Sequence, residues 1–424
     1  MKIFYLIFAL LIVLNLPLVS QDSCITTKCH KDFKAFKSLH APVEEDCTNC
    51  HEQVEKHKFK FDDRENLCIQ CHDDKKEGKV VHEAVGSGSC TDCHDPHGNK
   101  YSSLLKEDRI DKVCFECHDQ DEMVKKFIHG PMESGECTMC HDAHTSANAK
   151  LLKSPQGKLC TECHEDKDIS KMGKNVHAPM EEGCSECHNP HSSEFEHQLK
   201  TEQGKVCAEC HDDIVEKSLK AKVQHKPLNE GRKCGNCHDP HGTGMAKLLK
   251  TDLMNVCLNC HKKPLENSPH GKYNIADVLK KNKFKHGPVE DGECGSCHNA
   301  HGSDHFRLLI NTYPEKMYTK YDKKSYLLCF ECHDDSIART AKTVALTDFR
   351  DDDKNLHFVH VNKEKGRTCR FCHEVHASNS PKQIREKVKF GKWELPIGFK
   401  KTSTGGSCAP GCHKPYTYSR KEKK

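Results

Sequence analysis

Apolar positions in this chain follow no sustained period. The one long apolar run is residues 3–14. Beyond it apolar residues come singly, in short runs, or in pairs such as Leu104–Leu105, Leu151–Leu152, Leu248–Leu249 and Leu308–Leu309. No segment alternates apolar and polar residues for long, so minimal strand is predicted. The short patches predict short α-helices in mostly irregular coil. Lys2 precedes the apolar run, Asn15 and Pro17 break it, and Ser20 is small. This predicts a signal peptide over residues 1–20, cut near Ser20–Gln21. An uncleaved membrane anchor is the rival reading, for which the run is short. Gln21, Asp22 and Ser23 before Cys24 do not form a lipobox. Export to an oxidising compartment is therefore expected. The expected location is the periplasm, with outer-membrane association or release to the exterior as further options.

Composition sharpens this picture. Apolar residues make up 35% of 424, and that share includes 30 cysteines. So few side chains are thin material for a core, and something else should fill the interior. The 66 basic and 63 acidic residues are interspersed, with no basic stripe, so nucleic acid is not an expected partner.

The cysteines all fall into one pattern. Thirteen segments read Cys-x-x-Cys-His. They are Cys47–Cys50–His51, Cys68–Cys71–His72, Cys90–Cys93–His94, Cys114–Cys117–His118, Cys137–Cys140–His141, Cys160–Cys163–His164 and Cys184–Cys187–His188. Cys207–Cys210–His211, Cys234–Cys237–His238, Cys257–Cys260–His261, Cys294–Cys297–His298, Cys329–Cys332–His333 and Cys369–Cys372–His373 complete them. Two variants with longer gaps, Cys24–Cys29–His30 and Cys408–Cys412–His413, account for the rest. This is the spacing for covalent haem c attachment. Cysteines at i and i+3 and a histidine at i+4 share one face of a helical turn. Two thioethers can then hold the porphyrin edge while the imidazole reaches the iron. Disulfides would not require the histidine, and zinc sites would need separated ligand pairs. About fifteen haems c are expected.

A longer repeat contains two motifs. Each copy has a leading histidine, a first motif, a trailing histidine and a second motif. The leading set is His40, His82, His129, His177, His225, His286 and His360. The trailing set is His57, His97, His144, His191, His241, His301 and His376. With His357 these supply fifteen candidate distal ligands; His197, His270 and His305 remain, and His270 is expected at the surface. His144 is too near His141 in sequence to reach the opposite face of the same ring, so it should serve another haem. His129 is expected to reach a neighbour such as the preceding haem. Pro in "CHDPH" and "CHNPH" suggests a turn that directs the trailing histidine outward. The leucine pairs read as apolar plugs against ring faces. The expected organisation is 1–20 signal peptide, 21–39 half-repeat, 40–261 regular repeats, and 262–424 repeats with inserts. The inserts 262–285, 302–328 and 334–359 read as surface loops or short helices.

"HGPMESGECTMCHDAH", "HKPLNEGRKCGNCHDPHG" and "GRTCRFCHEVHASN" resemble the doubled-CXXCH multihaem cytochromes c. That family includes periplasmic decahaem cytochromes that thread outer-membrane porins. Fifteen motifs rather than ten set this chain apart from that subgroup. The resemblance implies an elongated, solenoid-like protein with a haem core, and long-range electron transfer through bis-histidine haems. It implies partners among quinol-oxidising or outer-surface cytochromes, with an outer-membrane β-barrel as a further candidate. The alternative is an enzyme, a reductase of a nitrogen or sulfur oxyanion, which would need one open iron.

Overall fold

The computed structural model describes residues 24, 30–55, 57–60, 64–264 and 274–421. The expected signal peptide, Cys29 and His270 lie outside the described residues. The chain divides into two bodies, one of Met1–Leu159 with Pro190–Ser193, the other of Cys160–Asn189 with Glu194–Lys424. Both are coil punctuated by single helical turns and strand pairs mostly two residues long. Among the described residues no helix is long and apolar enough to cross a membrane.

The strand pairs tie each repeat to the next. In the first body Ser38–Leu39 pairs with Gly98–Asn99, Val80–Val81 with Thr145–Ser146, and Phe127–Ile128 with Ser192–Ser193. In the second, Asn175–Val176 pairs with Gly242–Thr243 and Phe284–Lys285 with Ala377–Ser378. Each pair joins the residues before a leading histidine to those after the next repeat's trailing histidine. The histidines extend the ladder: His40 N–H donates to the His97 carbonyl (3.0 Å), and His82 N–H to that of His144 (2.9 Å). A helical turn with proline near its start then follows, as in Ala41–Glu45, Gly130–Glu133 and Gly287–Glu290. Proline suits a helix start, though the turn Glu83–Gly86 forms in the same place without one. Ladders this short are marginal by themselves.

Side-chain burial is uneven. Among the described residues, every fully buried large apolar side chain lies at Leu309 or later. One cluster joins Leu309, Tyr313, Tyr326, Ala338 and Val361; another joins Phe371, Val388 and Ile397. Upstream, side chains form no such core in the described residues. This corrects the expectation for two inserts. Segments 302–328 and 334–359 are not simply surface loops, because Tyr313, Tyr326, Ala338 and Leu356 are buried within them. Aromatic residues spaced through 306–330 supply apolar area that the regular repeats lack.

Candidate haem-binding sites

Each regular motif closes one turn of helix. The His94 N–H donates to the Cys90 carbonyl at 3.1 Å, and His141 to Cys137, His238 to Cys234 and His298 to Cys294 at 3.0 Å each. Both cysteines and the histidine therefore face one side, as spacing predicts. The C-terminal variant differs. Cys408 ends the strand Gly405–Cys408, while His413 N–H bonds the Pro410 carbonyl at 3.5 Å.

A second device, not read from the sequence, orients the motif histidine. Nine residues after it, the backbone carbonyl accepts a hydrogen bond at Nδ1. His94 meets Ser103 (2.8 Å), His141 Lys150 (2.8 Å), His188 His197 (2.7 Å) and His238 Lys247 (2.8 Å). His298 meets Arg307 and His373 meets Lys382, both at 2.9 Å. Every one of these acceptor residues has a left-handed backbone, with φ from 53° to 60°, and the next residue is left-handed too. Consecutive left-handed non-glycine residues are strained, which the surroundings must hold in place. The leucine pairs lie here. Leu104, Leu151, Leu248 and Leu308 are the second left-handed residues, and their carbonyls accept from Asp95, Asp142, Asp239 and Asn299 N–H. Their backbone therefore has a defined task. Gln198 and Gln383 perform the same task in other repeats, so leucine is not required.

The trailing histidine is set by the residue between the two histidines. Asp95 Oδ1 accepts from His97 N–H (3.0 Å), Asp142 from His144 (3.0 Å), Asp239 from His241 (3.1 Å) and Asn299 from His301 (3.1 Å). These are Asx turns. Ala143 and Ala300 occupy the place of proline in two of them, so the carboxylate or amide, rather than proline, makes the turn.

The decisive geometry lies between histidines. Motif and trailing rings stack across successive repeats: His51 with His97, His94 with His144, His141 with His191, His188 with His241, His238 with His301 and His298 with His376. Leading rings stack on the second motif of their own repeat: His40 on His72, His82 on His118, His177 on His211, His225 on His261 and His286 on His333. His360 faces His413, tilted by 35°. These leading histidines thus face the second motif of their own repeat, whereas the preceding haem is the expectation for His129. For His129 itself, Nδ1 bonds the Pro190 carbonyl at 2.9 Å, as His40 bonds Pro96 and His177 bonds Pro240. His373 is met by His357, just ahead of the leading His360, which stacks on it at 6.4 Å and 12°. At the other end Phe33 stacks on both His30 and His97, and His57 sits exposed in a turn with φ 63°.

These separations fit a metal between the rings. A metal–imidazole bond is about 2 Å, so two coaxial imidazoles on one metal place their centroids about 6 Å apart. The pairs on regular motifs measure 5.8 to 6.4 Å, with interplanar angles from 4° to 24°. Where a carbonyl engages Nδ1, as in His94, His141, His40 and His177, Nε2 is the atom left to face the gap. At two of these rings burial favours the neutral form, the form that ligates: it pushes His376 down to about 4 and His357 to about 3. Among the described residues, no three of His, Cys, Asp and Glu converge as a zinc cage requires.

The sulfurs run in chain order within each body. In the first, the Cys114 thiol donates to Cys137, and Cys93 lies near Cys117. In the second, Cys207 donates to Cys234, Cys257 to Cys294 and Cys329 to Cys369. The donor thiols are held protonated and the acceptors shifted down, to about 7 at Cys137 and about 6 at Cys234. Among the described residues, cysteines such as Cys90, Cys137, Cys207 and Cys234 are in no disulfide, so their sulfurs are available for thioether bonds.

Six segments, 40–77, 82–123, 129–169, 177–216, 225–265 and 286–338, match the doubled CXXCH motif family. They cover more than half of the chain, which belongs to this family and is a multihaem c-type cytochrome. A search of the curated proteins found no match.

Proposed function

We propose that this protein carries electrons over long distances through about fifteen covalently attached haems c. The observation that carries this reading is the order of the attachment sulfurs: consecutive motifs lie beside one another in sequence order within each body. Haem c, when bound, would supply one-electron redox chemistry at low potential, as bis-histidine ligation favours.

The chain's own groups do the positioning. Cysteine pairs fix the edge, motif and distal histidines present Nε2 from opposite sides, and carbonyls at Nδ1 fix both tautomer and ring plane. Paired rings argue for an electron carrier over a reductase, which needs one open iron position. The apolar leader supports export, and we place the protein in the periplasm or at the outer surface, exchanging electrons with other cytochromes or a β-barrel partner.

The test is intact mass and redox titration of protein matured by a haem-ligating host. Fifteen haems, reduced rapidly in sequence, with negligible carbon monoxide binding, are expected. Stoichiometric carbon monoxide binding to the untreated protein would favour the reductase.

A further inference from the structure

The even mixing of charge ends near residue 379. Residues 380–424 hold twelve basic and three acidic residues, a balance of +9, while the other 379 residues balance at −6. This basic segment contains the last attachment motif, whose Cys412 and His413 are exposed.

A hairpin stands beside that motif. Lys387–Phe390 pairs with Trp393–Pro396, and Gly391, with φ 59°, lies in the two-residue turn between them. The register places Val388 opposite Leu395, and Phe390 opposite Trp393. Alternation therefore puts these four on one face. Val388 is buried, but the same apolar stripe continues outward to Phe390, 46% exposed, and Trp393, 70% exposed. Trp393 is the chain's only tryptophan. Lys387 and Lys389 lie on the opposite face and Lys392 in the turn; these and Lys400 and Lys401 are all exposed, and Lys387 is within ion-pair range of Glu394 at 3.7 Å. The hairpin is fixed to the motif: the Pro396 carbonyl accepts from Gly411 N–H at 3.2 Å, next to Cys412.

We propose that this hairpin is a docking site for an acidic one-electron carrier protein, at the terminal site of Cys408, Cys412 and His413. The reading rests on the electron-transfer function proposed above. Charge complementarity names the partner: the lysines would attract an acidic face and steer its approach. Trp393 and Phe390 would supply the desolvated centre of a small, transient interface. A haem held by Cys408, Cys412 and His413 would supply the one-electron exchange with the partner's centre, with no bond made or broken.

The test uses the full-length, haem-loaded protein, with a plant-type ferredoxin as the acidic probe and a basic mitochondrial-type cytochrome c as the opposite probe. Affinity is measured by calorimetry at low and physiological salt. Ferredoxin should bind, more weakly as salt rises, and the basic probe should not. Lys387→Glu, Lys389→Glu and Lys392→Glu together should weaken binding about tenfold or more. Trp393→Ala should weaken it about tenfold and keep the salt dependence. Trp393 is exposed, so this variant retains the fold. Equal ferredoxin binding by the charge-reversed variant would overturn the proposal. So would capture by phosphatidylglycerol vesicles through Trp393 without ferredoxin binding, which would make a membrane the occupant. Ferredoxin binding without electron exchange would uphold the docking site and remove the electron-transfer reading instead.

Discussion

The rings of His94 and His144 lie 6.2 Å apart and 11° from parallel, although they belong to different repeats. Asp142 fixes the turn that delivers His144, and the Ser103 carbonyl fixes His94. The site anchored at Cys90 and Cys93 is thus completed by its successor.

His144→Ala should leave the haem count unchanged and open one position, opposite His94. One high-spin haem and one equivalent of bound carbon monoxide are expected, by magnetic circular dichroism and gas titration. An entirely low-spin variant would remove His144 from the ligand set.

Lys247 tests the left-handed turn. Its carbonyl must face His238, and its φ is 57°. Lys247→Gly should change stability by about 1 kcal/mol or less, since relief of strain offsets the freer unfolded chain. Lys247→Val should destabilise by about 2 kcal/mol, because a β-branched residue resists this conformation. Thermal melting measures both, and the low-spin resonance positions should shift only in the valine variant.

Without haem, neighbouring motifs are exposed to oxidation. Cys114 and Cys137 are in sulfur contact, and Cys137 is shifted down to about 7, which favours its thiolate. Apoprotein exported without haem attachment should form a Cys114–Cys137 disulfide, identified by peptide mass mapping. Abundant free thiol at both positions would refute this.

Acid should act through the buried imidazoles. His376 and His357 titrate near 4 and 3 in the fold but near 6.5 when unfolded. The unfolded chain therefore binds more protons between those values. Stability should be greatest above about pH 6.5 and fall as pH drops toward 4. Denaturant melts of the haem-free protein should show this loss, and a flat profile from pH 7 to 4 would contradict it.

The attachment sites were legible in sequence because they are local: spacing alone puts Cys137, Cys140 and His141 on one face of a turn. That His144 must serve elsewhere followed from reach. Which site it serves did not, because that depends on pairing between repeats, such as Val80–Val81 with Thr145–Ser146. The turn carbonyls were invisible for another reason. Ser103, Lys150, His197 and Arg307 share a backbone conformation and no side-chain chemistry. The buried Tyr326 was hidden by a Lys- and Asp-rich surrounding sequence that resembles a loop.

The handover of trailing histidines gives the array a direction and therefore creates a problem of termination. A repeat added at the C-terminal end would complete its predecessor and leave itself incomplete. His357 departs from that scheme, stacking on His373 from ahead of its own repeat rather than from a later one. A histidine placed this way completes a site without drawing on a later repeat, the problem that caps solve in stacked arrays. Internal repeats could then be gained or lost without leaving an open site, whereas the last one could not be removed alone: deleting residues 360–424 would strip His298 of His376 and leave His357 with nothing to complete.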